Sequence, residues 1–524
     1  MKEIVIYDSS LRDGAQAKGI SYTVEDKLKI VQKLDSLGVG YIEAGNPGSN
    51  PKDLDFFNRA KKLKLKNSKI IAFGSTRKVK IDVADDNNVK SLLKANTPAV
   101  AIFGKSWDFH ATDILKATLD ENLNMIYDTI KFFKDKNKEV VFDAEHFFDG
   151  YKSNAEYALK TLQVAVDAGA DCLALCDTNG GTFPMEIYEI TKMIVKKYKV
   201  SIGIHCHNDT GMAVANSIMA VRAGANHVQG TMNGFGERCG NANLSTIIPN
   251  LQVKLGYSCV PKESIKDIYS MARYISEIAN VVHNERAPYV GSASFAHKGG
   301  MHIDAVNKNP ASFEHVNPEV VGNKRRILMS EVSGRSTILK RINMVEPTIK
   351  KDSPETKMII AKLKELEHEG YQFEVAESSF ELVVRKILGK YSPFFELKEF
   401  KVIVNEPSVK GINSAAMIKI KVKEEYEITA AEGSGPVNAL DNALRKALER
   451  FYPQIKEVKL TDYKVRVLDS NMATAAKVRV LIESKDKKEV WTTIGVSEDI
   501  IDASWKALID SIEYKLIKDS ENKK

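Results

Sequence analysis

Residues 172–177 read CLALCD and residues 201–207 read SIGIHCH, two short apolar runs that each end in side chains able to do chemistry, with an amphipathic helical pattern between them. A strand, a crossover helix and a second parallel strand need about 30 residues, and that is the spacing found. Working outward, the same unit recurs as EIVIYD from Glu3, VGYIEA from Val39, KIIAFG from Lys69, AVAIFG from Ala99, EVVFDA from Glu139 and HVQGTM from His227. Eight βα units in the first ~260 residues predict an α/β chain that opens with a TIM (β/α)8 barrel. A doubly wound sheet is the competitor, but it usually has fewer strands, and no phosphate-binding glycine turn follows the first run.

In such a barrel the reactive side chains stand at the C-terminal ends of the strands, where the loops converge. Polar residues cluster there: Asp8, Arg12 and Asp13 after the first run, Glu43 and Asn46 after the second, Asp143 and Glu145 at the fifth, Asp177 and Thr178 at the sixth, His205 and His207 at the seventh. His205 and His207 are two apart on a strand and therefore project to one face. Closure of the barrel brings Asp13 beside the seventh and eighth strand ends, which completes a two-histidine, one-carboxylate set suited to a divalent metal ion. The plainer alternative is a hydrogen-bonded histidine pair with no ion.

Arg12, next to the carboxylate, can bind an anionic substrate or steady an oxygen that becomes negative, or else form only a structural ion pair. Gln16 either orients substrate or caps its loop, and Glu145 is a candidate acid or base, whereas His146 reads as structural. After the eighth run NGFGERCGNANL carries Gly234, Gly236 and Gly240. Loops here often hold phosphate in this fold, although the GxGxxxG spacing is not the dinucleotide fingerprint. Asn241 and Asn243 could reach the metal or pin the loop to its own backbone.

The alternation ends near residue 280. Residues 1–280 are expected to be the barrel, 281–396 accessory subdomains with two helical patterns, and 397–524 an internally duplicated α+β domain. The duplication rests on two blocks of strands, one followed by ALRKALERFY from Ala443 and the other by ASWKALIDSIEY from Ala503.

Composition agrees with a folded, water-facing enzyme: of 524 residues 43% are apolar and 28% charged. The +7 net charge is spread among acids, with no stripe for a polyanion, so nucleic acid is not an expected partner. No run approaches the roughly 20 apolar residues that cross a bilayer, and the start has no export pattern, so no membrane role is expected. Cys172, Cys176, Cys206, Cys239 and Cys259 are odd in number and lack a CxxC pair, which favours reduced thiols and a cytoplasmic location.

LRDGAQ, with Lys27 beyond it, and IGIHCHNDTGMAVA together resemble the two signatures of the 2-isopropylmalate, homocitrate and citramalate synthase family. The resemblance extends through GGMHIDA and into GSGPVNALDNALRKAL and DYKVRVLD, which look like the regulatory domain of these synthases. IEAGNPGSNPKD, AEHFFDGY and VGNKRRILMSEVSGRS look more like the citramalate branch than the 2-isopropylmalate branch. The resemblance implies condensation of acetyl-CoA with a 2-oxo acid, pyruvate in that branch, followed by thioester hydrolysis. It also implies a divalent ion (Mn, Mg, Zn or Co) on Asp13, His205 and His207 with Asn241 close by, and Arg12 at the keto oxygen. Gln16, Glu43, Glu145 and Thr178 would surround substrate, and His302 would assist deprotonation of acetyl-CoA. A homodimer and feedback by isoleucine follow from the same likeness.

Two positions depart from the family pattern. Phe313 stands where a tyrosine is common, and SNMATAA near Asn471 lacks a common glycine. Homocitrate synthase fits less well because the C-terminal domain is present. The metal set alone would also suit a non-haem iron oxygenase, and a barrel that had lost activity would serve as an amino-acid sensor. The GSGPVN turn, with Pro436 at a helix start, could take an effector carboxylate or be an ordinary cap.

Overall fold

The computed structural model describes residues 2–328, 338–339, 342–343, 345–350, 353–373, 376–409, 411–468, 476–487 and 489–521. Eight parallel strands close a barrel in chain order: β1 (Val5–Asp8), β2 (Tyr41–Glu43), β3 (Lys69–Ser75), β4 (Ala99–Lys105), β5 (Glu139–Glu145), β6 (Cys172–Asp177), β7 (Ser201–Cys206) and β8 (His227–Gly230). All eight fall on the apolar runs of the sequence, with β3, β4 and β5 extending one residue past them. β1 pairs with β2 on one side and β8 on the other, which seals the ring.

The barrel is filled rather than hollow. Tyr7, Ile71, Ala99, Ala101, Val141, Cys172 and Ala174 pack inside it, with Tyr41 and Phe73 against them, so small residues on some strands leave room for rings from others. The outward strand faces meet the helices in a second, larger layer. The first of these helices, Val24–Leu37, shows how sequence sets its limits. Thr23 and Asp26 form a reciprocal capping box at its start, and Gly38, at φ 93°, ends it in the left-handed region.

Compactness divides the chain into two units, residues 1–296 with 314–326, and residues 297–313 with 327–524. Compactness thus draws its line differently from the expected blocks 1–280, 281–396 and 397–524. The physical reason is packing within the second unit. Helices Pro354–Glu369 and Glu377–Ile387 bury Ile359, Leu363, Phe380 and Val384 in one cluster with Ile494 of the C-terminal domain, and Ile494 N donates to Ser379 Oγ at 3.1 Å.

The C-terminal repeat is present. β9 (Glu396–Val409), β10 (Ile412–Val422) and β11 (Glu425–Gly433) form an antiparallel sheet followed by helix Pro436–Glu449. β12 (Lys459–Val467), β13 (Val478–Lys485) and β14 (Val490–Ser497) form a second one, followed by helix Ile500–Glu521. Pro436 is at the helix start as expected. The SNMATAA departure falls on 470–476, of which only Ala476 is among the described residues. No helix among the described residues is long and apolar enough to cross a membrane.

Candidate active site

The loop after β1 turns immediately into a short 3-10 helix at Gly14–Gln16, which leaves Arg12 and Asp13 over the carboxyl end of the barrel. There Asp13 meets His205 and His207. Asp13 Oδ2 is 3.8 Å from His205 Nε2 and 4.0 Å from His207 Nε2, and the two ring nitrogens are 3.4 Å apart. All three side chains are buried, and one donor atom from each lies within 4.8 Å of the others. His207 stands one residue past β7, bridged to Asn241, and still projects with His205 as the HxH spacing predicts.

Charge states suit an ion. Burial alone would raise the Asp13 carboxyl, but Arg12, His205 and His207 outweigh it and hold it down at about 2. Burial pushes His207 down to about 4, helped by His205 and the nearby arginines, and lowers His205 as well. At neutral pH the set is one carboxylate and two neutral imidazoles, the states in which these groups bind metal. Two atoms beside it are also buried without a hydrogen-bond partner, His207 Nδ1 and Asn241 Oδ1. An unpaired buried acceptor costs about 1–3 kcal/mol, so its retention in this cluster fits a site completed from outside the chain.

Asn241 is brought in by the glycine loop. Its Nδ2 donates to Asp13 Oδ1 at 2.8 Å and to Phe235 O at 3.1 Å. Gly236 and Gly240 both have positive φ, and a Cβ on either would collide, with the Asn241 amide in one case and with Gly234 O in the other. These glycines therefore fold the loop back on itself, which accounts for them without a phosphate. Asn243 caps the next helix by accepting from Ser245 N.

Arg12 is fixed on three sides. Its Nε donates to Glu43 Oε2 at 2.6 Å, its Nη1 to Asp13 Oδ2 at 3.1 Å, and its guanidinium lies 3.8 Å from the Phe73 ring centroid. Glu43, expected among the residues around substrate, is fully buried behind it. Both its oxygens are engaged, the second by Tyr7 OH at 2.7 Å, because a carboxylate without water needs its lone pairs filled. Gln16 is exposed and lines, with Arg12, Tyr22, Lys27 and Phe73, a cavity of about 290 Å³.

The remaining expected residues lie further apart. Glu145, at the end of β5, pairs with Lys105. Thr178 Oγ1 accepts from His146 N at 2.8 Å, while Thr178 O takes a bond from Arg238 at 2.7 Å. His302 belongs to the second unit, on helix Gly300–Lys308, where its ring stacks on Phe313 with centroids 4.0 Å apart.

Sequence reasoning passed over Gln229 and gave Asp143 no role. Gln229 is nearly fully buried, with Oε1 3.0 Å from His205 Nδ1 and Nε2 donating to Asp143 Oδ1 at 2.8 Å. Burial, with Glu43 adding, raises Asp143 to about 7. A polar residue in the middle of the apolar run HVQGTM was the available signal.

Known proteins share this arrangement of domains. The HMGL-like family matches residues 3–275, the homocitrate synthase post-HMGL domain-like family residues 289–371, and the LeuA allosteric (dimerisation) domain residues 374–516. An (R)-citramalate synthase of Aquifex aeolicus is 53% identical over 99% of this chain and 99% of its own length. This chain belongs to the citramalate and 2-isopropylmalate synthase family. Another member, an (R)-citramalate synthase of Geobacter sulfurreducens, is 52% identical over 99% of each chain. A 2-isopropylmalate synthase of Methanocaldococcus jannaschii is 32% identical over 98% of this chain and 95% of its own. The start of the LeuA match at residue 374 places helix Glu377–Ile387 with the C-terminal domain, as its packing does.

Proposed function

We propose that this chain condenses acetyl-CoA with pyruvate and hydrolyses the thioester, releasing CoA and (R)-citramalate on a route to isoleucine. The reading is supported above all by identity of 53% and 52%, over nearly the whole chain, to proteins named (R)-citramalate synthase, against 32% to a 2-isopropylmalate synthase.

Asp13, His205 and His207 would hold a divalent ion (Mn, Mg, Zn or Co), with Asn241 beside it. Bound there, the ion supplies Lewis acidity to a 2-oxo acid. The chain's own groups do the rest. Arg12 carries a permanent charge, held at its post by Glu43, and faces the keto oxygen as that oxygen becomes negative. Because Glu43, Asp13 and Phe73 preset its position, little reorganisation accompanies the reaction. Gln16 and Thr178 bind the 2-oxo acid carboxylate, and Glu145 exchanges protons with water at the substrate. His302 takes the proton from the acetyl methyl group, whose carbon then bonds to the pyruvate keto carbon. Water finally cleaves the thioester and CoA departs as the free thiol. The LeuA-type domain pairs two chains and takes isoleucine as effector, and the enzyme works in the cytoplasm.

Free CoA thiol released from acetyl-CoA tests the reading, with pyruvate or 2-oxoisovalerate as acceptor and with added divalent metal or chelator. Release with pyruvate that chelator abolishes is the expected result. A preference for 2-oxoisovalerate would move the assignment to 2-isopropylmalate synthase, and no release with any 2-oxo acid from folded, metal-loaded protein would overturn it.

A further inference from the structure

We propose that Gln229 and Asp143 form a polarity relay that holds His205 in the one tautomer able to ligate a metal, a positioning role that rests on the metal reading of Asp13, His205 and His207. β7 and β8 are neighbours, and their register sets His205 directly beside Gln229. Gln229 Oε1 is 3.0 Å from His205 Nδ1, and Gln229 Nε2 donates to Asp143 Oδ1, on β5, at 2.8 Å. All three side chains are buried, so no solvent competes for these bonds.

The direction of each bond forces the next. Gln229 Nε2 donates to Asp143 Oδ1, an oxygen that accepts whether its carboxyl is ionised or carries a proton on Oδ2, so the Gln229 nitrogen faces Asp143. Its oxygen then faces His205 Nδ1, and an amide oxygen can only accept. Nδ1 therefore carries the hydrogen, and the neutral ring leaves its lone pair on Nε2. That atom is the one turned to the cluster, 3.8 Å from Asp13 Oδ2 and 3.4 Å from His207 Nε2. In the opposite tautomer an N–H would point at the ion's position and His205 would not be a ligand. The second histidine has no such partner: His207 Nδ1 is buried and unbonded. The relay thus acts on one ligand only, and a polar glutamine inside an otherwise packed strand has a specific task.

This account makes a prediction that packing alone does not. In Asp143→Asn the new amide can donate to the Gln229 oxygen as well as accept from its nitrogen, so the direction of the chain is no longer fixed and the wrong His205 tautomer becomes open. In the double variant Asp143→Asn/Gln229→Glu the carboxylate at 229 accepts from both sides, and the original polarity returns. Gln229→Met removes the relay while keeping the volume.

The test is titration of Co²⁺ into full-length protein stripped of metal, read by calorimetry and by the visible absorption of the bound ion, with thermal midpoints as a check on folding. Gln229→Met is expected to weaken binding by roughly 10- to 100-fold, the usual cost of losing an outer partner of a ligating histidine, and Asp143→Asn by less. The double variant is expected to recover most of that loss. Nitrogen-15 histidine spectra of metal-free protein should show His205 in the Nδ1–H form, with the Nε2–H form gaining population in Asp143→Asn and receding in the double variant. Unchanged affinity in both single variants overturns the proposal, as does weakened binding with an unchanged His205 tautomer, or a folded double variant that recovers nothing. Should Asp143→Asn not fold, Gln229→Met carries the test. Failure of the unaltered protein to bind Co²⁺ would instead overturn the metal reading itself, and the relay with it.

Discussion

In the C-terminal domain a buried polar atom is met by another, whereas at the carboxyl end of the barrel it is left waiting. Thr493 Oγ1 donates to Ala507 O at 2.7 Å, Ser511 Oγ to Ser484 Oγ at 2.8 Å, and Lys515 is held by Asp486 and Asp519 at 2.6 and 2.7 Å. Among the described residues only Asp519 Oδ2 is buried and unpaired there. In the barrel His207 Nδ1 and Asn241 Oδ1 are unpaired within one cluster that also holds a carboxylate and a fixed guanidinium. Paired polar groups define a fold, while unpaired ones gathered at one spot define a place for something the chain does not contain. Position matters as well as pairing. His227 Nε2 is also buried and unpaired, but it sits at the start of β8 among Tyr7 and Tyr41, away from the strand ends.

The largest test of this contrast is His207→Ala. CoA release should fall to the level seen with chelator, and Co²⁺ binding should be lost with it. Retained activity would mean that the unpaired cluster is not the reacting centre. Arg12→Lys comes next. A lysine keeps the charge but not the fork that spans Glu43 and Asp13, so kcat should fall roughly 10²- to 10³-fold, the scale for losing a preset oxyanion partner. A loss of only a few fold would reduce Arg12 to a structural ion pair.

His227 sharpens the comparison from the other end of the barrel. Burial pushes its imidazole from 6.5 to about 4. The unfolded chain takes up this proton between those values and the folded barrel does not, so stability falls as pH drops through that window. His227→Phe should therefore reduce the loss of unfolding free energy between pH 7 and pH 5 by about 2 kcal/mol, measured by denaturant titration. An unchanged pH dependence would show that His227 is not buried in the neutral form. The smallest effect is expected at Thr493→Val in the C-terminal domain. One satisfied bond is lost, so stability should fall by about 1 kcal/mol with the rate of CoA release unchanged. A change in that rate would mean that this pairing serves more than the fold.

The barrel was legible because two periods coincide in its sequence, alternation at strand ends and a repeat of about 30 residues between them. His205 and His207 were legible for the same reason, since a spacing of two in extended chain has one geometric outcome, which holds although His207 lies one residue past β7. Asp13 required closure of the ring as an added premise, which the β1–β8 pairing supplies. The surroundings of Glu43 were not legible, because a carboxylate at a strand end looks alike whether it faces substrate or stands behind an arginine. Only Tyr7 and Arg12 on its two oxygens separate the cases. Gln229 was missed because its meaning lies in which atom faces which neighbour across β5, β7 and β8, and linear spacing carries no such information. The tie between helix Glu377–Ile387 and Ile494, more than a hundred residues later, was hidden for a related reason.

Asp13 comes from the loop after the first barrel strand and Asn241 from the loop after the last, 228 residues on, yet they share a hydrogen bond. The site therefore lies across the seam at which the ring closes. A chain emerging from a ribosome holds Asp13 early but cannot assemble its partners until β8 has been made and docked. Ion capture would then report completion of the barrel, and its free energy would act as a clasp on that seam, slowing the reopening of β1 from β8.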